Sequence, residues 1–287
     1  MQTLDTLIEK PLPVRMNIYG APGTGKTFMV GKLADKFKLH YISAENGHQT
    51  FSDPACVSVA ARPNVAIYKI ADTNTQPRAY SFLHNLLLTG SVTACEAHGA
   101  TGCVACASAG LKDYKFSLSS LGMNDILIID SWSQVDRSVR ARLAAKHKVD
   151  WESESAKDMH GSNNMLRFYD AVRMSLTDLC TRIQAINSTN VIVITHTTDT
   201  SKLNEKGQVA VQGKIVPAGG SAKFAETNAG YFSEVLFSYV ENGRFKVTCD
   251  PRYSPYHAAK SRSAFDCAGK EPRDAVYELF AKNLQIK

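Results

Sequence analysis

Residues 20–27, Gly-Ala-Pro-Gly-Thr-Gly-Lys-Thr, have the types and spacing of a phosphate-binding loop of the form G-x-x-x-x-G-K-[ST]. Glycines let the backbone turn tightly, so that successive N–H groups point at phosphate oxygens. The lysine of this motif reaches the β- and γ-phosphates of a nucleotide, and the hydroxyl after it can bind Mg²⁺. A preceding apolar run and a helical pattern opening at Lys26 place the loop before a helix N-terminus, which favours anions. The predicted nucleotide contacts are Gly20, Ala21, Pro22, Gly23, Thr24, Gly25, Lys26, Thr27 and Phe28.

A carboxylate at the end of a second apolar run extends this site. Residues 126–130 read Ile-Leu-Ile-Ile-Asp, a continuous buried strand closed by Asp130. A strand-end aspartate of this kind holds the Mg²⁺ shell in phosphate-loop enzymes, so Asp130 and Thr27 are the predicted magnesium ligands and Asp130 joins the nucleotide contacts. An aspartate that only caps a turn is the alternative interpretation.

Three of the seven cysteines cluster with a histidine, in the spacing C-x₂-H-x₄-C-x₂-C. Two close ligand pairs separated by a glycine-bearing turn can converge tetrahedrally on Zn²⁺. The loop is too short to bury a hydrophobic core, so a metal would have to fold it. We therefore predict a structural zinc site with four protein ligands, the alternative being four unrelated residues in a flexible loop. The predicted ligands are Cys95, His98, Cys103 and Cys106.

Apolar runs interleaved with helical patterns predict an α/β fold with a mostly parallel sheet flanked by helices. The Asn242-Gly243 step between two strand-like runs predicts a β-hairpin near the C-terminus. Further strands are predicted at residues 14–19, 40–43, 65–70 and 191–194, and helices at 78–88 and 164–187.

Length and composition limit the class of protein. A chain of 287 residues with 44% hydrophobic and 21% charged residues is typical of a globular protein with a sizeable core. The net charge of +6 permits a nucleic-acid partner without requiring one. Without an apolar run of membrane-spanning length or a secretory leader, we expect a cytoplasmic protein with no membrane association. The predicted domains are a core at 1–250, with the zinc-binding insertion at 91–112, and a tail with a short helix at 251–287.

Several segments resemble the RecA-like P-loop ATPases. Residues 41–45, Tyr-Ile-Ser-Ala-Glu, resemble the RecA strand that ends in Ala-Glu, and residues 126–131 resemble its second nucleotide-binding motif. Residues 193–196 resemble the strand that ends in a γ-phosphate sensor, although RecA usually has Gln where this chain has His196. The Gly-Gly and Lys-Phe pairs of residues 217–224 resemble a further RecA segment. The resemblance covers roughly residues 12 to 250.

The resemblance implies roles for three residues. No Glu directly follows Asp130, so Glu45 is the expected base for the attacking water. His196 is expected to sense the γ-phosphate, and Lys223 is a candidate residue acting on a neighbouring subunit's nucleotide. A structural histidine and a solvated lysine are the respective alternatives.

A RecA core of this size resembles the short phage-encoded recombinases of the Sak type, which are tied to single-strand DNA annealing and exchange. The Ala-Lys-Ser-Arg run at residues 259–262 resembles the Ala-Lys-x-Arg ending of such ATPases. The encoded protein would then act in the host bacterial cytoplasm, as a ring or filament. A single-strand-binding or other replication or recombination protein is a further possible partner.

Two segments are candidate DNA-binding loops by the same resemblance. One runs over residues 134–163 and the other over residues 199–216, and both are rich in basic residues suited to phosphate contacts. A solvated amphipathic helix at 137–148 is the alternative for the first, and acidic residues at 150–158, Glu152 and Glu154 among them, weaken its case. The predicted DNA contacts are Arg137, Arg140, Arg142, Lys146, Lys148, Lys202 and Lys214.

These features together predict an ATPase that uses ATP, Mg²⁺ and Zn²⁺, binds single-stranded DNA and is stimulated by it. The alternative is a nucleotide-gated loader or assembly ATPase that acts through protein–protein contacts, with the zinc insertion as its docking module. A helicase-type motor is a third, weaker interpretation, because no separate helicase motif is evident.

Overall fold

A central sheet dominates the computed structural model, which describes residues 12–151, 163–204 and 209–284. The strands of the described residues are Arg15–Gly20 (β1), Lys38–Ser43 (β2), Val65–Lys69 (β3), Ser91–Cys95 (β4), Asp113–Ser117 (β5), Asp125–Asp130 (β6), Asn190–Thr195 (β7), Thr197–Asp199 (β8), Lys202–Leu203 (β9), Val209–Val211 (β10), Ile215–Pro217 (β11), Glu234–Glu241 (β12), Arg244–Thr248 (β13) and Lys260–Ser261 (β14). Within these residues the central sheet has eight strands, in the order β13-β12-β1-β7-β6-β2-β3, with β14 beside β12.

Every pairing among β3, β2, β6, β7, β1 and β12 is parallel, whereas β13 and β14 pair with β12 in antiparallel fashion. The mostly parallel sheet predicted from the apolar runs is therefore confirmed. β6 and β7 are buried along almost their whole length, since helices cover both faces.

Helices cover both faces of the sheet and divide the core in two. The helices of the described residues are Lys26–Gly31 (α1), Arg78–Thr89 (α2), Val104–Ser108 (α3), Trp132–His147 (α4), Asn163–Ala185 (α5), Ala222–Asn228 (α6) and Pro272–Leu284 (α7), with 3₁₀ turns at Lys32–Asp35, Asn46–Ser52, Val59–Asn64, Leu118–Ser120 and Ala229–Tyr231. One buried cluster packs α2, α4 and α5 against the sheet. The other packs α1 and α7 against the opposite face, with the rings of Phe37 and Phe280 meeting edge to face. No helix in this part of the chain is long and apolar enough to cross a bilayer.

The cysteine-rich insertion forms a small unit beside the sheet. β4 and β5 pair as an antiparallel ribbon, with Ser91 opposite Ser117, and the short helix α3 lies between them. The unit extends to Ser117, five residues beyond the predicted end at 112. It contacts the end of β3, where the Ala71 N–H donates to the carbonyl of His98 at 2.9 Å.

The predicted C-terminal hairpin is confirmed. β12 and β13 pair with Glu241 opposite Arg244, and the turn between them has positive φ at both Asn242 and Gly243. That turn geometry suits the right-handed twist of the strands.

Residues 251–284 pack on the core. β14 joins the sheet at β12, and the short helix predicted in this segment is α7, which lies against α1. The boundary drawn at residue 250 stays a prediction.

Residues 134–147 are not the loop predicted after the second motif. They lie within α4, which begins at Trp132 and is capped by the Ser131 hydroxyl accepting from the Gln134 N–H at 3.2 Å. The helix alternative was correct here because a side-chain cap and a buried apolar face, including Val135 and Val139, stabilise it. Residues 152–158 of the acidic stretch, Glu152 and Glu154 among them, lie outside the described residues.

Candidate nucleotide site

The sheet order brings the predicted site together at one edge. β6 lies between β2 and β7, and β7 lies between β6 and β1, so the C-terminal ends of four parallel strands meet. The register places Asp130 beside both Ser43 and Ile194. Ligands of open α/β sheets bind at the C-terminal ends of the strands.

The phosphate loop joins β1 to α1 as predicted. Gly25 has a φ of 78°, a conformation that suits glycine, and it directly precedes the helix. Gly20 is required for a different reason: a Cβ there would lie 2.3 Å from the carbonyl oxygen of Ser238 on β12. The loop therefore has room only for backbone at this point.

Lys26 is buried beneath this loop. Its Nζ donates to the carbonyls of Gly20 at 2.9 Å and Ala21 at 2.7 Å. Burial lowers the pKa of Lys26 to about 8, against the opposing effect of the carboxylates of Asp130 and Glu45. A polyphosphate would offer the ammonium a stronger partner than neutral carbonyls do.

Asp130 and Thr27 form the second part of the site. The Thr27 hydroxyl donates to Asp130 Oδ2 at 2.9 Å, and the Tyr41 hydroxyl donates to the same oxygen. Burial raises the pKa of the Asp130 carboxyl, against the lowering effect of these two hydrogen bonds. Hydroxyl and carboxylate oxygens are the donor set that Mg²⁺ prefers, so Thr27 and Asp130 fit the ion expected in such a site.

Glu45 lies two residues beyond the end of β2 and forms the third part of the site. The Ser131 hydroxyl donates to Glu45 Oε1 at 2.5 Å, and His196 Nε2 lies 3.4 Å from Glu45 Oε2. Burial would raise the pKa of Glu45, but the hydrogen bonds from His196 and Ser131 outweigh it and the pKa is lowered. Glu45 is therefore ionised at neutral pH and half-exposed, as an acceptor of protons from water must be.

A single cavity of about 400 Å³ joins these groups. Four of the five predicted catalytic residues line it: Lys26, Glu45, Asp130 and His196. Lys223 does not line it. It is exposed on α6, and its predicted action on a neighbouring subunit stays a prediction.

The predicted DNA contacts fall into two groups. On α4, Arg140 donates to Asp136 and to the Gly220 carbonyl, and Arg142 donates to Ser81 Oγ at 2.7 Å. Arg137 donates to Asn74 at 3.0 Å, while Lys146 and Lys148 are exposed.

The second group lies on a ribbon formed by β8 pairing with β11 and β9 pairing with β10. Lys202 and Lys214 are both exposed there. The ribbon begins directly after His196, whose carbonyl accepts from the Ala218 N–H at 2.8 Å.

The four predicted zinc ligands converge. Their donor atoms all lie within 4.8 Å of one another, with His98 Nδ1 3.1 Å from Cys106 Sγ and 3.8 Å from the sulfurs of Cys95 and Cys103. Ligand atoms around a tetrahedral zinc are about 3.5 to 3.8 Å apart, given Zn–S and Zn–N bonds of about 2.3 and 2.0 Å. The cluster could therefore hold a metal ion.

A strand–loop–helix with a buried lysine, a hydroxyl and a strand-end carboxylate defines the nucleotide site of a P-loop ATPase. Comparison with family models agrees: the AAA domain model matches residues 12–263. The chain belongs to this family, and its AAA-type ATPase domain extends over most of its length. A search of curated proteins gives no match.

Sequence reasoning missed three residues that shape the site. Tyr41 donates to Asp130 and Ser131 donates to Glu45. A Cβ at Gly47 would lie 2.5 Å from Asp130 Oδ2. Alternation along the strand after α1 could have pointed to Tyr41, and adjacency to Asp130 could have pointed to Ser131. Nothing in the sequence pattern singles out Gly47.

Proposed function

We propose that this protein is an ATP-dependent, single-stranded-DNA-binding recombinase or annealing protein of the phage Sak type, hydrolysing ATP at the subunit interfaces of a ring or filament. The observation that carries the proposal is the contact between Glu45 and His196. It joins the expected hydrolytic base to the root of the ribbon that presents Lys202 and Lys214.

The chemistry proposed is attack of water on the γ-phosphate of ATP. Ionised Glu45 orients the water and accepts its proton, while Ser131 fixes the carboxylate from the other side. Lys26 exchanges its loop carbonyls for phosphate oxygens and offsets the charge that develops on them. Mg²⁺ held by Thr27 and Asp130 would supply further charge neutralisation when bound.

Coupling to DNA would begin at His196. The His196 N–H donates to Ser133 Oγ at 3.0 Å, and the His196 carbonyl accepts from the Ala218 N–H at 2.8 Å. A movement of the His196 side chain toward or away from Glu45 would therefore be transmitted through this backbone to the ribbon. The two exposed lysines on that ribbon suit contacts to the phosphates of a single strand.

A lysine supplied by a neighbouring subunit would complete the site, and Lys223 is the proposed one. It is exposed and outside the cavity of its own chain, as a residue acting on a neighbour must be. Replacing it should lower hydrolysis only where subunits assemble.

We also propose that Cys95, His98, Cys103 and Cys106 hold a structural Zn²⁺. The proposal is supported by the convergence of three thiols and one imidazole, which are the ligands that zinc prefers. It is also supported by the small size of the insertion, which cannot bury a hydrophobic core of its own. Metal analysis of the purified protein should give one zinc per chain, and Cys106→Ser should lower that content. A full-length protein purified without zinc and stably folded would contradict the proposal.

The test of the main proposal is ATP hydrolysis at low and moderate salt, with and without single-stranded DNA. Lys26→Ala serves as the blank. We expect strong stimulation by DNA that weakens as salt rises, and its reduction in a Lys202→Ala, Lys214→Ala double variant. ATP hydrolysis that depends on Lys26 but has the same rate with and without DNA would contradict the recombinase proposal.

That contrary outcome would favour a nucleotide-gated loader or assembly ATPase. One observation supports this second candidate: the zinc insertion exposes two large apolar side chains, with Val104 78% and Leu111 50% exposed. Exposed apolar residues on a small surface unit suit docking to another protein.

A further inference from the structure

Residues 249–259, which link β13 to β14, pack against the ribbon that follows His196. The Ile215 N–H donates to the carbonyl of Tyr256 at 2.6 Å, and the Ala258 N–H donates to the carbonyl of Ile215 at 3.4 Å. These hydrogen bonds form a parallel bridge between Ile215 of β11 and His257. The ribbon and this linking segment therefore form one continuous surface.

The same bridge brings an exposed lysine beside an exposed tyrosine. The nitrogen of the 2.6 Å hydrogen bond belongs to the peptide that follows Lys214, so the backbones of Lys214 and Tyr256 are adjacent. The next residue, His257, points inward, since its ring centre lies 4.2 Å from that of the buried Phe237. Tyr256 is instead 48% exposed, and Lys214 is exposed as well. A cation and an aromatic side chain thus lie next to each other at the surface.

Tyr253 adds a second exposed ring three residues before Tyr256. It is 45% exposed, and its ring centre lies 5.3 Å from that of Tyr239 and 6.0 Å from that of His257. Tyr239 stacks in turn on Phe237, with ring centres 5.4 Å apart and planes 11° apart. Tyr253 is therefore supported by other rings on one side and open to solvent on the other.

Exposed aromatic rings beside lysines have the chemistry that binds a single nucleic-acid strand. Bases stack on aromatic side chains, and lysines contact the phosphates. Lys202 and Lys214 of the ribbon supply the positive charge. The carboxylate of Asp250 in the linking segment accepts from the Arg252 guanidinium at 3.0 and 3.2 Å, so its charge is already compensated. This surface therefore favours a polyanion with exposed bases.

We propose that Tyr253 and Tyr256 form a base-stacking platform for single-stranded DNA, continuous with the ribbon. The proposal deepens the proposed function and rests on it, since the platform would hold the bases of the strand whose phosphates contact Lys202 and Lys214. Both tyrosines lie outside residues 134–163 and 199–216, the two segments predicted to bind DNA. Stacking is possible for every base, so the platform would bind single strands without strong sequence preference.

The test is equilibrium binding of two labelled oligomers of equal length, oligodeoxythymidine and a fully abasic deoxyribose-phosphate strand. Fluorescence anisotropy is measured with Mg²⁺ and a slowly hydrolysed ATP analogue, at low salt, where phosphate contacts are strongest. The wild-type chain should bind oligodeoxythymidine more tightly. Tyr256→Ala should weaken that binding roughly tenfold, the scale of one lost stacking contact, and leave the abasic strand unchanged. Tyr256→Phe keeps the ring and should bind both oligomers like the wild type.

Two further variants separate stacking from charge and from general surface effects. Lys214→Ala should weaken both oligomers alike and reduce the dependence of binding on salt, because it removes a phosphate contact. Leu88→Ala should change neither affinity, since Leu88 is an apolar side chain on α2 that is 50% exposed, like Tyr256, but belongs to neither the ribbon nor the linking segment.

Three outcomes would overturn the platform while leaving DNA binding by the protein in place. They are equal affinity of the wild-type chain for the two oligomers, unchanged affinity for oligodeoxythymidine in Tyr256→Ala, and an equal loss of both oligomers in that variant. A wild-type chain that binds neither oligomer would instead contradict the proposed function itself, and the platform with it.

Discussion

At the scale of single residues, the site is a set of polar groups whose ionisation is set by burial and by one another. Asp130 is 4% exposed and accepts from two hydroxyls, whereas Glu45 is more open and paired with Ser131 and His196. The two carboxylates therefore have opposite pKa shifts, raised for Asp130 and lowered for Glu45. This difference suits Asp130 to binding a metal ion and Glu45 to accepting a proton from water.

Replacing the expected base should separate binding from hydrolysis. Glu45→Gln keeps the size of the side chain and can still accept from Ser131, but it cannot take a proton from water. We expect kcat to fall roughly 10²- to 10⁴-fold with nucleotide affinity within about threefold of wild type. Steady-state hydrolysis and equilibrium nucleotide binding measure the two effects.

Glu226→Gln is the matched control, because Glu226 is an exposed glutamate on α6 that does not line the site cavity. Unchanged kcat in Glu45→Gln would assign the base elsewhere.

Nucleotide binding should take up a proton at Lys26. The pKa of Lys26 is about 8 in the free protein, and a bound polyphosphate would raise it, since the charged form gains an anionic partner. At pH 8 we expect uptake of roughly half a proton, and above pH 8 affinity should fall by up to about tenfold per pH unit. Calorimetry in buffers of different ionisation enthalpy measures the proton uptake.

Lys26→Arg provides the comparison for this prediction, because a guanidinium stays charged throughout this range. Its affinity should be flat above pH 8. If the wild-type and Lys26→Arg profiles ran in parallel, Lys26 would not be the group that titrates.

At the scale of elements, the cysteine-rich insertion packs on the sheet through the rings of Tyr114 and Phe116, which lie against Tyr68 of β3, and through backbone contacts next to the predicted ligands. His98 accepts from Ala71, and Gly99 lies so close to β3 that an added Cβ would be 2.4 Å from the Lys69 carbonyl oxygen. The insertion is therefore packed against the sheet, and Gly99 lies where its backbone approaches β3 most closely among these contacts.

Two glycines of the insertion allow a matched test of this docking. Gly99 and Gly102 have similar φ, 65° and 62°, but a Cβ on Gly102 meets nothing within 4 Å. Both substitutions to alanine pay the left-handed backbone cost of about 1–2 kcal/mol. Gly99→Ala should lose at least about 1 kcal/mol more, because it must also displace backbone of β3.

Thermal or denaturant unfolding of both variants measures the difference, and metal analysis shows whether the proposed zinc is bound equally by both. Equal losses of unfolding free energy in Gly99→Ala and Gly102→Ala would mean that the close approach to β3 contributes nothing.

At the scale of the whole molecule, the C-terminal helix α7 packs against α1, the helix that follows the phosphate loop. Phe280 of α7 is fully buried and meets Phe37, and Lys32 beside α1 pairs with Asp274. Phe37 and Phe280 belong to the same buried cluster as Met16 and Ile18 of β1, the strand that leads into the phosphate loop. Stability of this face and nucleotide binding should therefore be linked.

Phe280→Ala should lower the free energy of unfolding by about 3–5 kcal/mol, the cost of a large cavity in a packed core. Phe245→Ala removes the same atoms from a ring that is 46% exposed and should cost far less. Denaturant unfolding of the two variants makes the comparison, and bound nucleotide should stabilise each by an amount that rises with the logarithm of its affinity. Similar losses would contradict the packing of α7 against the core.

Much of the fold followed from the sequence because its signals are local. The phosphate loop needs glycines and a lysine at fixed spacing, parallel strands are continuous apolar runs, and the Asn242-Gly243 turn has its own backbone preference. The four ligands of the insertion are equally local, since they lie within twelve consecutive residues.

The sequence by itself determined the phosphate loop, the strand-end carboxylate, the ligand cluster and the parallel sheet. Only the tertiary structure decided that residues 134–147 are helical, that Tyr41 and Ser131 hold the two carboxylates, and that Phe245 and Arg273 adjoin the phosphate loop. Phe245 and Arg273 lie more than two hundred residues from that loop along the chain, and only the order of strands in the sheet and the packing of α7 on α1 bring them beside it. The spacing of residues along the chain predicts local structure and local ligand sets, whereas contacts between residues far apart in sequence depend on how whole elements pack.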